Sequence, residues 1–211
     1  MTADLGRRER KKLQTREALI AAAIRLFGER GFLGTTIEDL TEAVDVSPRT
    51  FFRYFSSKED LLIADMATAI PLVREALAPA RPGEPIIEAV RRATVALVRA
   101  FTAPESLAQR RLALSIAEVR GRMLEAHEQI NQALVDELAR RLSVDPDLDP
   151  RPRVVASIAL GAVRAAVHAW VASGGHADPE VIVERTFDLV ASGLAGANVL
   201  RPARAPMSGE A

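Results

Sequence analysis

The chain contains no cysteine and few aromatic residues: one tryptophan, one tyrosine and seven phenylalanines among 211 residues. Without cysteine there is no disulfide framework, no thiolate nucleophile and no cysteine-ligated zinc or iron–sulfur site. No uninterrupted run of about 18 apolar residues occurs, so we expect no membrane span. Residues 1–20 lack the apolar segment and the small-residue cleavage site of a signal peptide. Together these absences favour a cytoplasmic protein.

Positive and negative charges balance over the whole chain but not along it. The 28 basic and 28 acidic residues cancel, so no overall field steers a charged partner. Residues 1–16, however, hold six basic and two acidic side chains. We expect residues 1–14 to form a disordered basic arm, which either reaches toward a polyanion or is simply solvated. Residues 201–211 hold few large apolar side chains and are also expected to be disordered.

Apolar residues recur with helical spacing along most of the chain, and long strand-like alternation is absent. The predicted fold class is therefore all-α. Spacing and capping signals predict helices over residues 12–30, 36–43, 48–54, 58–78, 86–101, 104–119, 122–142, 151–172 and 179–200, and Pro71 should break the fourth near Ile70. The short helices form a predicted domain at residues 15–60, and the longer ones form a larger domain at residues 61–200.

Two short helices joined by the connector Val44-Asp45-Val46 have the pattern of a helix-turn-helix. The second helix begins at Ser47, a good N-cap, and continues with Pro48, which is tolerated at the first helical position. In this motif the N-terminal end of the second helix faces base edges in the major groove. Arg49 lies in that first turn, where it can bind a guanine through two hydrogen bonds.

Other side chains of the second helix suit the DNA backbone. Hydroxyl groups and a positive charge for phosphate oxygens come from Thr50, Arg53 and Tyr54. Lys58 and the free N–H groups at the start of the following helix form a second candidate phosphate site. Phe51 and Phe55 share one helical face and should pack in the core. By itself, this cluster also fits a small helical core with a solvated arginine face.

Residues 16–62 resemble the DNA-binding domain of the TetR family of bacterial repressors. The matching segments are LF-ERGF at 26–32, TTIEDL at 35–40, VSPRTFFRYF at 46–55 and SKEDLL at 57–62. The resemblance implies an all-α homodimer. Each N-terminal helix-turn-helix domain reads half of an inverted-repeat operator, and a variable C-terminal domain binds a small molecule. It also implies base contacts from Pro48 and Arg49, and phosphate contacts from Thr36, Ser47, Thr50, Tyr54 and Lys58.

Two positions depart from the family pattern. Phe52 stands where the family usually has tyrosine, so one phosphate hydroxyl is missing, and the ring can contact a thymine methyl group instead. Asp45 stands where the turn usually has glycine. Aspartate tolerates the left-handed backbone region better than most residues, so the turn should survive.

The last two predicted helices, at about 151–172 and 179–200, are rich in small residues. The resemblance implies that they pair with their copies as a four-helix dimer interface, although packing within one chain is the alternative. Candidate effector-binding residues lie on the central helices: Met66, Ile70, Leu97, Phe101, Leu114, Met123, Leu124, His127, Asn131 and Trp170. Most are apolar, which predicts a hydrophobic small-molecule effector. For each of them a place in a solid core is the alternative.

Motifs of catalysis are absent: the chain has no HExxH, P-loop, GxSxG or GxGxxG pattern. The three histidines are not spaced as a metal-binding set. We therefore predict no enzyme, no catalytic residue, no metal and no cofactor. The predicted function is a ligand-responsive repressor that binds a palindromic operator as a dimer. A nonspecific or architectural DNA-binding protein, or a helical enzyme without a recognisable motif, are the alternatives.

Overall fold

The computed structural model describes residues 6–78 and 84–192. In these ranges the chain is helical and has no strand, which confirms the predicted fold class. The helices are α1 (Arg7–Arg30), α2 (Ile37–Glu42), α3 (Pro48–Phe52), α4 (Ala69–Leu77), α5 (Ile86–Phe101), α6 (Leu107–Ser115), α7 (Ala117–Leu142), α8 (Arg151–Ala172) and α9 (Pro179–Ala191). Short 3-10 turns cover Glu59–Leu61, Ala64–Thr68 and Pro104–Ser106.

The N-terminal domain, α1–α3, forms because local signals end and begin each helix. Gly31 ends α1 with a φ of 77°, a backbone conformation that glycine adopts without strain. Thr36 and Asp39 form a capping box at the start of α2. With few helical residues in α2 and α3, their stability comes from burial of side chains such as Leu40 and Phe51, both fully buried.

The core of the N-terminal domain extends beyond α1–α3. Leu61 and Leu62 of the segment that follows α3 are fully buried in it, together with Ala113 of α6 and Val119 of α7. The Gln109 side chain donates a hydrogen bond to the Leu61 carbonyl oxygen at 3.1 Å. The two domains are therefore packed against each other through a common apolar cluster.

The C-terminal domain, α4–α9, has a second core, with α5 packed against α4, α8 and α9. Arg91 of α5 pairs with Glu184 at 2.8 Å and with Asp188 at 2.9 Å, which ties α5 to α9. Within the described ranges, α8 is the one helix long and apolar enough to cross a membrane by length and composition. It packs on α5, α7 and α9, and 39% of its most apolar 18-residue window is buried.

Several predicted boundaries were wrong. Helix α1 begins at Arg7, so residues 7–14 are helical and not part of a disordered arm; residues 1–5 lie outside the described residues. In place of one helix over residues 58–78, the structure has two 3-10 turns and then α4, and Pro71 lies in the first turn of α4, where proline is tolerated. Residues 193–211, with the end of the last predicted helix and the tail, also lie outside the described residues.

Candidate nucleic-acid interface and effector cavity

Helix α3 is held rigidly by its first turn and by its buried face. The Ser47 Oγ accepts a hydrogen bond from the backbone N–H of Thr50 at 3.2 Å, and Pro48 occupies the first helical position. Phe51 is fully buried and Phe55 is 5% exposed, with their ring centroids 5.7 Å apart. The predicted packing role of both phenylalanines is confirmed.

The opposite face of α3 is exposed. Pro48, Arg49, Phe52 and Arg53 all lie on it. Within the described part of the chain, the Arg49 side chain makes no hydrogen bond or ion pair, so its guanidinium group is available to a partner outside the protein. Phe52 is 57% exposed, and its ring packs edge-on against Phe51, with the ring centroids 5.4 Å apart. The Arg53 guanidinium group donates to the Tyr54 hydroxyl oxygen at 3.1 Å.

The turn between α2 and α3 depends on Asp45, which has a φ of 54°. This left-handed conformation is costly for most residues, and aspartate tolerates it better than most. The backbone N–H of Val46 donates to the Thr41 carbonyl oxygen at 3.0 Å and closes the turn. The expectation that the turn survives without glycine is confirmed.

The two threonines among the predicted phosphate contacts already have partners in the protein. The Thr36 hydroxyl donates to Asp39 Oδ2 at 2.7 Å and accepts the capping-box hydrogen bond from the Asp39 backbone N–H at 3.1 Å. The Thr50 hydroxyl lies 3.0 Å from the Ser47 hydroxyl. Both threonines can meet a phosphate only by sharing or exchanging these bonds, and their role in DNA binding stays a prediction.

Lys58 is directed toward the protein as well. Its Nζ donates to the carbonyl oxygens of Phe32 at 2.7 Å and Thr35 at 3.0 Å, and lies 4.3 Å from the centre of the Phe32 ring. An ammonium group has three hydrogens, so one remains for a phosphate. The geometry makes Lys58 a link between the segment after α3 and the turn between α1 and α2.

The free N–H groups expected beside Lys58 are not free. The backbone N–H groups of Ser56 and Ser57 donate to Asp60 Oδ2 at 3.0 and 3.2 Å. Asp60 also pairs with Arg122 of α7 at 3.1 Å. The prediction of a phosphate site at these N–H groups was therefore wrong, because a carboxylate of the chain already occupies it.

A cavity of about 750 Å³ lies between α6, α7 and α8 in the C-terminal domain. Its apolar wall includes Met66, Phe101, Leu114, Met123, Leu124, Val163 and Val167. Its polar lining consists of Arg110, Arg120, Arg164, His127 and His168. None of the described residues that line it is acidic. The cavity therefore combines an apolar wall with positive charge, which suits an apolar ligand bearing a negative group.

Six of the ten candidate effector-binding residues line this cavity: Met66, Phe101, Leu114, Met123, Leu124 and His127. The other four do not line it, and Ile70 packs against the C-terminal core. Leu97 is 1% exposed and belongs to the C-terminal core, while Trp170 is 4% exposed and packs beside Gly175. Asn131 lies one helical turn beyond His127 on α7, and its buried Oδ1 has no hydrogen-bond partner among the described residues. Leu97 and Trp170 are core residues because core and cavity positions share one apolar pattern. The ligand-binding role of the candidate residues stays a prediction.

Sequence reasoning missed Arg110, Arg120 and His168. Arg110 is 3% exposed and forms an ion pair with Asp65. In the sequence, Arg110 is followed by Arg111 and therefore looks like part of a solvated, charged segment. Only the structure shows that Arg110 lies on the buried face of α6, together with Gln109 and Ala113. Of the two histidines in the lining, His127 has a lowered pKa, because burial, and then the charges of Arg164 and Arg110, disfavour its charged form.

Comparison with known proteins identifies both parts of the chain. Residues 19–64 match the family model described as bacterial regulatory proteins, tetR family, and residues 84–195 match the model of the MftR C-terminal domain. Among curated relatives, the transcriptional regulator TcmR of Streptomyces glaucescens is 32% identical over 78% of this chain and 76% of its own length. The regulator MftR of Mycobacterium tuberculosis, whose name assigns it to mycofactocin biosynthesis, is 26% identical over 88% of this chain and 93% of its own length.

A solved structure gives the same result for the fold. FadR of Thermus thermophilus, a repressor solved in complex with lauroyl-CoA, is 26% identical, with a TM-score of 0.54 over 90% of this chain and 98% of that one. The matched segments include the capped helix α3 and the helices that surround the cavity. This chain belongs to the tetR family of bacterial regulatory proteins and is a DNA-binding transcriptional regulator.

Proposed function

We propose that this regulator represses transcription by binding an inverted-repeat operator as a homodimer in the cytoplasm, and that a hydrophobic small molecule releases it. The observation that carries the proposal is the geometry of α3. Its buried phenylalanines fix the helix, and Arg49 stands on the exposed face without a partner among the described residues. A rigid helix with a free arginine in its first turn suits guanine recognition in the major groove.

The exposed face of α8 supports dimerisation. Val154, Ser157, Gly161, Ala165 and His168 are all exposed and recur every three or four residues, so they lie on one side of the helix. Four of the five are small or apolar, and only 39% of the most apolar 18-residue window of α8 is buried within one chain. A second copy, packed through α8 and α9, would cover this face. Two α3 helices would then stand about 34–36 Å apart, one turn of DNA.

The cavity supports a hydrophobic effector. A volume of about 750 Å³ falls within the usual range of ligand pockets, and its wall is largely apolar. The structural neighbour from Thermus thermophilus holds lauroyl-CoA. An acyl-CoA combines an apolar chain with a phosphorylated headgroup, which matches the apolar wall and three arginines of this cavity. Release requires the effector to bind the DNA-incompetent state more tightly than the competent one.

The decisive experiment begins by selecting bound fragments from genomic DNA and searching them for an inverted repeat. Binding of the wild type and of Arg49→Ala is then measured on the selected operator and on single-base variants. Because Arg49 makes no contact within the described chain, the variant should fold normally. It should lose about 1–3 kcal/mol of binding free energy and discriminate less at one base position per half-site.

Arg140→Ala is a matched control, since it removes an exposed arginine from the far end of α7. The control should bind the operator as the wild type does. A uniform loss for Arg49→Ala on all sequences would make Arg49 a phosphate contact. Equal affinity of the wild type for operator and random duplex would favour a nonspecific DNA-binding protein, and a stable monomer would exclude the dimeric mode.

A further inference from the structure

Arg110 is a buried cation at the boundary between the cavity and the connection to the N-terminal domain. Its side chain is 3% exposed and lines the cavity. Its Nε donates to the Phe101 carbonyl oxygen at 3.3 Å, and its guanidinium group lies 4.8 Å from the centre of the Phe101 ring. Its remaining strong partner is Asp65 Oδ2. The Asp65 carboxylate therefore already binds the guanidinium group of Arg110, which is the group best suited to bind an anion in the cavity.

Asp65 is an imperfect partner for Arg110. Its second oxygen, Oδ1, is buried and has no hydrogen-bond partner among the described residues. Burial raises the pKa of the Asp65 carboxyl group, although the charge of Arg110 opposes that shift. A carboxylate with one buried oxygen that lacks a direct hydrogen bond costs free energy that a fully paired carboxylate would not, although the backbone N–H groups of Asp65 and Met66 favour its charged form. The side chain is 27% exposed overall, so solvent lies within its reach.

The backbone around Asp65 is connected to the N-terminal domain. Asp65 lies in the 3-10 turn Ala64–Thr68, between α3 and α4. The Arg16 guanidinium group of α1 donates to the Ala64 carbonyl oxygen at 2.6 Å. The charge of Arg16, like that of Arg110, opposes the rise in the pKa of the Asp65 carboxyl group that burial causes. A displaced Asp65 thus has a second cation nearby, and this cation belongs to the DNA-binding domain.

We propose that the effector is an amphiphile whose anionic headgroup takes Arg110 away from Asp65, and that the freed carboxylate moves the 3-10 turn and, with it, α1. This proposal rests on the proposed effector function of the cavity and names the chemistry of the ligand and the residue that recognises it. Arg110 selects for the negative group, and Asp65 is the internal competitor that the ligand must displace.

The exchange is favourable because the ligand anion suits the guanidinium group better than Asp65 does. A carboxylate or phosphate that enters from the cavity can offer two oxygens to the planar arginine fork. Arg120 and Arg164 on the same lining add positive charge, and no described lining residue is acidic. The exchange also explains how effector binding is coupled to DNA binding, since the ligand prefers the state in which the 3-10 turn has moved.

The test compares three probes of equal chain length: dodecanoate, lauroyl-CoA and dodecanol. Calorimetry measures their affinity, and operator binding measures release, for the wild type, Asp65→Asn and Arg110→Gln. The wild type should bind an anionic probe more tightly than the alcohol. Arg110→Gln should lose that preference, on the order of tenfold. Asp65→Asn should bind the anionic probe more tightly than the wild type, while its operator affinity responds less to it.

Arg120→Gln is the matched control, because it removes a charge from the exposed rim of the same cavity without touching Asp65. It should change anion affinity less than Arg110→Gln does. Preference for dodecanoate would assign a carboxylate headgroup, and preference for lauroyl-CoA would assign a phosphorylated one. If Arg110→Gln fails to fold, the response of Asp65→Asn tests the exchange instead. This variant should fold, since its amide has nearly the shape of the carboxylate.

Failure of the exchange can be told apart from failure of the effector site. If the wild type binds the alcohol as tightly as both anions, or if Asp65→Asn responds as the wild type does, the exchange is refuted while the cavity remains a ligand site. If no probe binds the wild type, the effector function of the cavity fails and the exchange fails with it.

Discussion

Lys58 provides a test that separates two roles for one side chain. The family resemblance implies a phosphate contact, whereas the structure shows its Nζ bonded to the carbonyl oxygens of Phe32 and Thr35. The variant Lys58→Met keeps most of the aliphatic stem beside the Phe32 ring and removes only the donor group. A structural link predicts loss of stability, and a phosphate contact alone predicts none.

The magnitude follows from the two bonds. A hydrogen bond from a charged donor contributes about 1.5–3 kcal/mol when buried. Lys58 is half-buried, so water can replace part of each bond in the variant, and we expect a total loss of about 2 kcal/mol. For a chain of this size, that loss lowers Tm by roughly 4–8 °C. Thermal unfolding followed by circular dichroism measures it directly.

Lys12→Met is the control, because it removes an exposed lysine from α1. Its Tm should equal that of the wild type. An unchanged Tm for Lys58→Met would refute the argument for a structural link. The salt dependence of operator binding then decides the other role: a phosphate contact made by the third hydrogen would make the slope shallower by about one for each subunit in Lys58→Met.

Further predictions concern the core, the turn and the cavity. Phe51→Ala removes a fully buried ring and should cost about 3–5 kcal/mol in urea unfolding, and a loss under 1 kcal/mol would contradict its role in fixing α3. Asp45→Gly should relieve the left-handed backbone and leave stability within about 1 kcal/mol of wild type, so a larger loss would mean that the side chain holds the turn. As pH falls below about 6.5, the unfolded chain takes up a proton at His127 that the folded chain resists, because burial lowers the pKa of that histidine; stability should therefore fall. His127→Gln should flatten that part of the pH profile, and an unchanged profile would show that the histidine is not responsible.

Local signals in the sequence were sufficient to predict the helix-turn-helix. Ser47 followed by Pro48, the capping box of Thr36 with Asp39, and Asp45 in the turn each act within a few residues. Such signals depend little on the rest of the chain, so the structure agrees with them. The start of α1 was missed for the opposite reason. Arginine, lysine and glutamate are good helix formers, so the helix continues to Arg7 with no side-chain cap to mark its end.

The cavity and the connection between domains could not be predicted in this way. A 3-10 turn and an α-helix draw on the same residue types, so the two turns between Glu59 and Thr68 looked like one helix. Leu97 and Met123 are both apolar residues on central helices, and only tertiary packing sends one to the core and the other to the cavity. The partnership of Asp65 with Arg110 joins residues 45 positions apart, beyond the reach of any local pattern.

The apolar cluster that the two domains share limits how this protein can be recombined. Ala113 and Val119 complete the packing around Leu61 and Leu62, and Gln109 bonds to the backbone of the same segment. A chimeric regulator made by grafting residues 1–62 onto a foreign sensor would expose those leucines unless the new sensor offered equivalent small apolar side chains. Transferring α6 and the first turn of α7 together with residues 1–62 would preserve this shared apolar cluster.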